Sequence, residues 1–135
     1  MLLERDEDIQ QLLKNTRRIA IVGISANPAR PSHGVALYLM AAGYEIVPVN
    51  PGLREVLGLR CYANLDEIDG PIDMVDVFRR SEEVPNIADA AIAIGAKSLW
   101  LQLGVINEDA SVRAVTAGLA VVVDRCTKIE HARMR

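Results

Sequence analysis

The stretch from Ile19 to Gly34 constrains the fold of this chain more than any other. It opens with an apolar run, Ile19-Ala20-Ile21-Val22, and passes through the small and turn-forming residues Gly23-Ile24-Ser25-Ala26-Asn27-Pro28. It then reaches Arg30-Pro31-Ser32-His33-Gly34 ahead of a helical pattern. Buried strand, loop and helix start, in that order, form the anion-receiving turn of doubly wound α/β domains, where backbone N–H groups and the positive end of a helix meet a phosphate. The apolar run is too short for a helix and too apolar for an exposed edge, so it predicts a first, central strand.

The rest of the chain repeats that grammar. Residues 1–16 read as an amphipathic lead-in helix, with Ile9, Leu12 and Leu13 on one face. A helix follows over Gly34 to Ala42, stopped by Gly43, and a strand over Tyr44 to Val49, stopped by Asn50-Pro51-Gly52. A short strand at Leu59 to Tyr62 and a helical turn at Asn64 to Ile68 come next. The alternating run Ile72 to Phe78 predicts a further strand, and Ser81 to Ile94 a helix closed by Gly95. Ser98 to Gln102 is a strand, Asn107 caps a helix through Ala117, and Leu119 to Val123 is the last strand. Alternation of this kind predicts an α/β fold with a mostly parallel sheet and helices on both faces.

Bulk composition narrows the function. With 135 residues the chain suits a single domain over 1–135. The formal net charge of -3 supplies no general attraction to a polyanion, so no nucleic-acid partner is expected. No run approaches membrane-spanning length, and the N-terminus carries acids at Glu4, Asp6, Glu7 and Asp8 where a secretory leader would be basic and then apolar. A cytoplasmic protein without a membrane partner is the expectation. Cys61 and Cys126 have neither disulfide-framework nor zinc spacing and read as small buried or semi-buried side chains.

Ligands of parallel sheets bind beyond the carboxyl ends of the strands. The turn after the first strand has Gly23 but no second glycine two residues on. Ser25, Asn27, Pro28, Arg30 and Ser32 stand there instead, and hydroxyl, amide and backbone donors can cradle a phosphate without the minimal glycine pattern. A rigid surface loop capping a helix is the competing reading. After the second strand, a site for NAD would offer an acid to the ribose, whereas Val49, Asn50 and Pro51 offer either the wall of an adenine slot or a plain turn. Arg79 and Arg80 end a third strand and suit an additional phosphate, or else pair with Glu82 and Glu83 in solvent. Gln102 and Gly104 lie at a fourth strand end. Neither His33 nor His131 belongs to a catalytic spacing, no paired acids stand out, and no metal set is present in the pattern.

Taken together, these segments are similar to the small bacterial coenzyme A-binding domain proteins, whose Rossmann-like fold is shared with the N-terminal domain of the succinyl-CoA synthetase alpha subunit. The resemblance rests on Ile21-Val22-Gly23-Ile24-Ser25, Asn27-Pro28, Arg30-Pro31-Ser32 and Gly34-Val35. It extends through Val47-Pro48-Val49-Asn50-Pro51, Val77-Phe78-Arg79-Arg80, Trp100 to Val105, Asp124-Arg125-Cys126 and Ile129-Glu130-His131, nearly the whole chain. It implies CoA as the cofactor, its pyrophosphate at the Gly23 to Ser32 loop, its adenine near Val49 to Pro51, and further contacts from Phe78, Arg79 and Arg80. The expectation is a single CoA-binding domain that senses or presents CoA or an acyl-CoA and carries no catalytic set of its own. An NADP-dependent oxidoreductase, or one subunit of a split acyl-CoA ligase, is the alternative. A protein partner or a homo-oligomer is left open.

Overall fold

The strand end at Gly23 lies where the chain of the computed structural model, described from Met1 to Met134, changes its direction of growth across the sheet. Strands β1 (Arg18–Val22), β2 (Glu45–Val49), β5 (Met74–Val77), β6 (Ser98–Leu101) and β7 (Ala120–Val122) form one sheet in the order β2-β1-β5-β6-β7. All its strand pairs are parallel. A separate hairpin joins β3 (Glu55–Val56) to β4 (Leu59–Arg60). The helices are α1 (Asp6–Asn15), α2 (Pro31–Ala41), α3 (Val84–Ala93), α4 (Glu108–Thr116) and α5 (Thr127–Ala132). This is the α/β, Rossmann-like fold that strand–helix alternation predicts.

Side-chain alternation along the strands builds a core on each face. Ala20, Val75, Val77, Leu99, Leu101 and Val121 pack with Val84, Ala88 and Ala91 of α3 and with Ala110 and Ala114 of α4. Ile19, Ile21, Met74, Trp100 and Val122 turn the other way, against Ile9 and Leu13 of α1 and Val35, Ala36 and Leu39 of α2. Helix α5 closes that second face by packing on α1 and α2. Trp100 is fully buried and donates its indole N–H to the Arg125 carbonyl at 2.7 Å, which ties β6 to the segment entering α5.

Several boundaries differ from the sequence expectations. Helix α2 begins at Pro31 rather than Gly34, because proline at N1 has its φ preset for the helix and no N–H to leave unpaired. Asp6, not Met1, begins α1. The residues before it run beside β7, with Leu2 bridged to Val121 and the Leu3 N–H donating to the Val121 carbonyl at 2.8 Å. The middle strand is β5, with β1 as its neighbour. The short strand expected over Leu59 to Tyr62 is β4, shortened to Leu59–Arg60, whereas its hairpin partner β3 and helix α5 are additions, each too short to show a hydrophobic period.

Two glycines test the geometry of the loop and helix. Gly23 has φ of 87°, and a Cβ built on it collides with the Phe78 carbonyl oxygen and lies 2.6 Å from Arg79 Cδ, whereas a Cβ on Gly34 meets nothing within 4 Å. Gly23→Ala should therefore destabilise the fold by more than about 1 kcal/mol. Gly34→Ala, inside α2, should stabilise it by about 0.5–1 kcal/mol. Denaturant midpoints of the two variants against wild type measure both, and equal effects would contradict this geometry.

Candidate functional site

Because β2 grows from one side of β1 and β5 from the other, the connections leaving β1 and β5 separate and open a crevice at their carboxyl ends. A cleft of about 710 Å³ occupies it, with walls from all the strand ends of the main sheet. Gly23, Ser25, Arg30, Ser32, Asn50, Phe78, Arg79, Arg80 and Gln102 line it, so most of the residues singled out in the sequence come together. Asn27, Pro28, Val49, Pro51 and Gly104 do not line it. Val49 is buried in the first core, and Pro51 is exposed beyond the rim.

The loop from Gly23 to Arg30 is held by its own side chains. The Ser32 hydroxyl accepts from the Ser25 N–H at 3.0 Å, the Ser25 hydroxyl from the Asn27 N–H at 3.0 Å, and the Asn27 carbonyl oxygen from the Ala29 N–H at 3.0 Å. Asn27 thus shapes the loop from outside the cleft. Both serine hydroxyls accept in these bonds and keep a proton to donate. Among the described residues the N–H groups of Ile24, Ala26 and Ser32 find no acceptor. With the amino end of α2 they form a donor-rich concavity of the kind that receives a phosphate.

Asn50 has another task. Its Nδ2 donates to the Ile24 carbonyl at 2.7 Å and its Oδ1 accepts from the Gly52 N–H at 2.8 Å, so the side chain staples the ends of β1 and β2 together. It contributes shape to the wall, with both halves of its amide already engaged. Gly104, with φ of 80°, donates its N–H to Asp124 Oδ1 at 2.7 Å and so aims the Leu103 to Val105 turn, which itself lines the cleft.

Electrostatically the cleft opposes the whole chain. Three guanidinium groups, from Arg30, Arg79 and Arg80, face a single carboxylate, Glu83, among its lining residues, in a protein of net charge -3. Glu83 binds Arg79 at 2.6 Å and Arg80 at 3.4 Å, and Glu82 lies 3.3 Å from Arg80. Hydrogen bonding to Arg79 is the main cause holding the Glu83 carboxyl below its ordinary range. The ion pairing expected as the competing reading of these arginines is therefore present: Arg79 and Glu83 pair half-buried in the cleft wall, whereas Arg80 and Glu82 pair in solvent. Glu83 was missing from the sequence-derived site although its i, i+4 spacing from Arg79 signals the pair.

Beneath the inner wall lies a buried polar network. Asp76, fully buried on β5, accepts from Gln102 Nε2 at 2.6 Å and from the Thr127 hydroxyl at 3.0 Å, and Gln102 Nε2 also reaches Thr127 Oγ1 at 2.9 Å. Desolvation pushes the Asp76 carboxyl up to about 7 against the lowering effect of its two donors. Cys126, beside Thr127, lines the cleft and is half-buried, within the buried or semi-buried placement expected of it. Among the described residues no group of three or more His, Cys, Asp or Glu could hold a metal ion, and no helix is long and apolar enough to cross a membrane.

Comparison with known proteins now identifies the architecture. A family model described as a CoA binding domain matches residues 17–132. The chain is 45% identical over 125 residues to the uncharacterized protein YneT of Bacillus subtilis, covering 93% of each. A hypothetical protein from Pyrococcus horikoshii superposes with a TM-score of 0.94 at 40% identity, covering 96% of this chain and 92% of its own. A more distant match, 26% identical over 83 residues, is to an ADP-forming acetate–CoA ligase of Archaeoglobus fulgidus, and it spans 60% of this chain but 12% of the ligase. The chain belongs to the CoA-binding domain family and is related to the corresponding region of ADP-forming acyl-CoA ligases.

The buried carboxyl gives a pH prediction. Between 3.8, the ordinary carboxyl value, and about 7, the unfolded chain has released the Asp76 proton while the folded protein still holds it. The stability that this proton retention represents is complete at the acid end of the window and lost as pH rises through about 7. Thermal denaturation of Asp76→Asn and wild type at pH 5 and pH 8 should show the variant gaining relative to wild type at the higher pH. A constant difference would place Asp76 in its ionised form throughout.

Proposed function

We propose that the cleft binds coenzyme A or an acyl-CoA, with the pyrophosphate on the Gly23 to Ser32 loop and the ribose phosphate beside Arg79 and Arg80. The observation that carries this reading is the pairing, in a member of the CoA-binding domain family, of a loop with unpartnered N–H donors and an arginine-lined wall. Val49, Asn50 and Pro51 bound the adenine end in this reading, through backbone and shape. Phe78 supplies an apolar surface, and Gln102 and the Gly104 turn the opposite wall. No acid stands at the end of β2 to hold the ribose of NAD, which favours CoA over a nicotinamide cofactor.

The protein then acts as a binding module that senses CoA or presents it to another chain. The match to a segment of an ADP-forming ligase supports the presenting role, since in that protein the related region is one part of a larger enzyme. Such a module works in the cytoplasm, where CoA is used.

Arg79 and Arg80 enter the complex already neutralised in part by Glu83, so the ligand phosphate displaces a carboxylate instead of meeting bare cations. Isothermal titration with CoA, dephospho-CoA, NADP, NAD and ATP tests the reading. Heat with CoA, and a weaker interaction with dephospho-CoA, are expected. Binding of NADP without binding of CoA would overturn it. Arg79→Ala or Arg80→Ala should weaken CoA more than dephospho-CoA, by roughly 1.5 to 3 kcal/mol, on the order of ten- to a hundredfold. Equal losses with both ligands would show that these arginines do not read the ribose phosphate. Glu83→Gln should tighten CoA by removing the competing carboxylate, and weaker binding by that variant would instead make Glu83 a support that orients Arg79.

A further inference from the structure

The inner wall of the cleft differs chemically from its phosphate-binding side. Gln102 is 4% exposed, and its Nε2 is committed to Asp76 and Thr127. That commitment fixes the amide, and the Oε1 at its other end accepts no hydrogen bond among the described residues. Among the described residues no buried side-chain oxygen is left without a partner, so this oxygen is open to the cleft that Gln102 lines. Cys126, a free thiol on the residue that adjoins Thr127, lines the same cleft. One buried network thus holds in place both an unpartnered acceptor and the backbone from which a thiol projects. Cys61 provides the contrast, being buried under the Asn50 turn with its Sγ donating to the Asn50 carbonyl at 3.6 Å. Burial pushes that thiol up from its ordinary value.

We propose that Cys126 is a thiol–disulfide exchange site for the disulfide form of the ligand, a deduction that rests on the CoA reading above. CoA ends in a thiol on an arm that carries amide N–H groups. The Gln102 Oε1 is the acceptor for such an N–H and holds the adjoining sulfur along the wall that Cys126 shares. In the exchange, the Cys126 thiol loses its proton and its sulfur attacks one sulfur of CoA disulfide. A new Cys126–CoA S–S bond forms as the CoA–CoA S–S bond breaks. The departing CoA sulfur takes the electron pair and then a proton, leaving as free CoA thiol. The CoA disulfide is the oxidant, and the disulfide count is conserved. The adduct would fill the cleft covalently, so the state of the cellular CoA pool would be recorded as occupancy of this protein.

Incubating the full chain with CoA disulfide and following intact mass and peptide maps tests the proposal. A single adduct on Cys126 is expected, equal in mass to CoA less two hydrogens and removed by dithiothreitol. It should be lost in Cys126→Ser and retained in Cys61→Ser. Desulfo-CoA, which can occupy the cleft but has no sulfur to exchange, should slow the reaction at least tenfold. Gln102→Leu, judged after circular dichroism shows a wild-type fold, should slow it as well. The proposal is overturned if wild type gives heat with CoA yet Cys126 stays unmodified, if the adduct falls on Cys61, or if oxidised glutathione modifies Cys126 as fast as CoA disulfide does. Absence of both heat and adduct overturns the CoA reading itself, and this one with it.

Discussion

The close approach of two backbones at Gly23 is the constraint on which the rest of this structure depends. There β1 ends against the carbonyl of Phe78, in space that a single methyl group would fill. The Gly23 N–H reaches the Val49 carbonyl at 2.9 Å and the Phe78 N–H reaches the Val22 carbonyl at 2.9 Å, so the ends of β2, β1 and β5 are locked side by side. From this joint the chain leaves in diverging directions. Ser25 to Ser32 goes toward α2 and Arg79 to Glu83 toward α3, and the cleft is the gap they leave. The donor-rich loop and the arginines line one cleft because the backbone leaves no room to move them apart.

Most of this was legible in the sequence because strand ends announce themselves. Ile19 to Val22 followed by Gly23, Val49 followed by Asn50-Pro51-Gly52, and Val77 followed by Arg79 each combine an apolar run with a change of chemistry. A parallel sheet brings all such points to one edge. Asn107, too, could be read as a cap, and its side chain accepts the Ala110 N–H at 3.0 Å.

What escaped the sequence depends on neighbours distant in the chain. Asp76 sits in an alternating run, where an acid suggests a solvated face. It is fully buried because β5 is the middle strand and both faces are covered, and its partners Gln102 and Thr127 come from the end of β6 and the start of α5. Cys126 carries no spacing signal, and its place at the entry to α5, which packs on α1 and α2, makes it a wall residue. The roles of Asn27 and Asn50 were visible as polar residues at turns, but their hydrogen bonds to nearby backbone show that both shape the loops that bound the cleft.

The margins of the sheet have a consequence for assembly. Beyond β7, the first residues of the chain already take up the Val121 backbone on both its N–H and its carbonyl. Beyond β2, Tyr62 occupies the Pro48 carbonyl at 3.0 Å and gives its own carbonyl to the Asn50 N–H, and Pro48 has no N–H to offer. The β7 margin and the carboxyl end of the β2 margin are therefore capped from within the same molecule, which shortens the ladder open to a foreign strand. The surfaces left for contact with another chain are the helices and the rim of the cleft, so what happens at the cleft need not disturb the sheet.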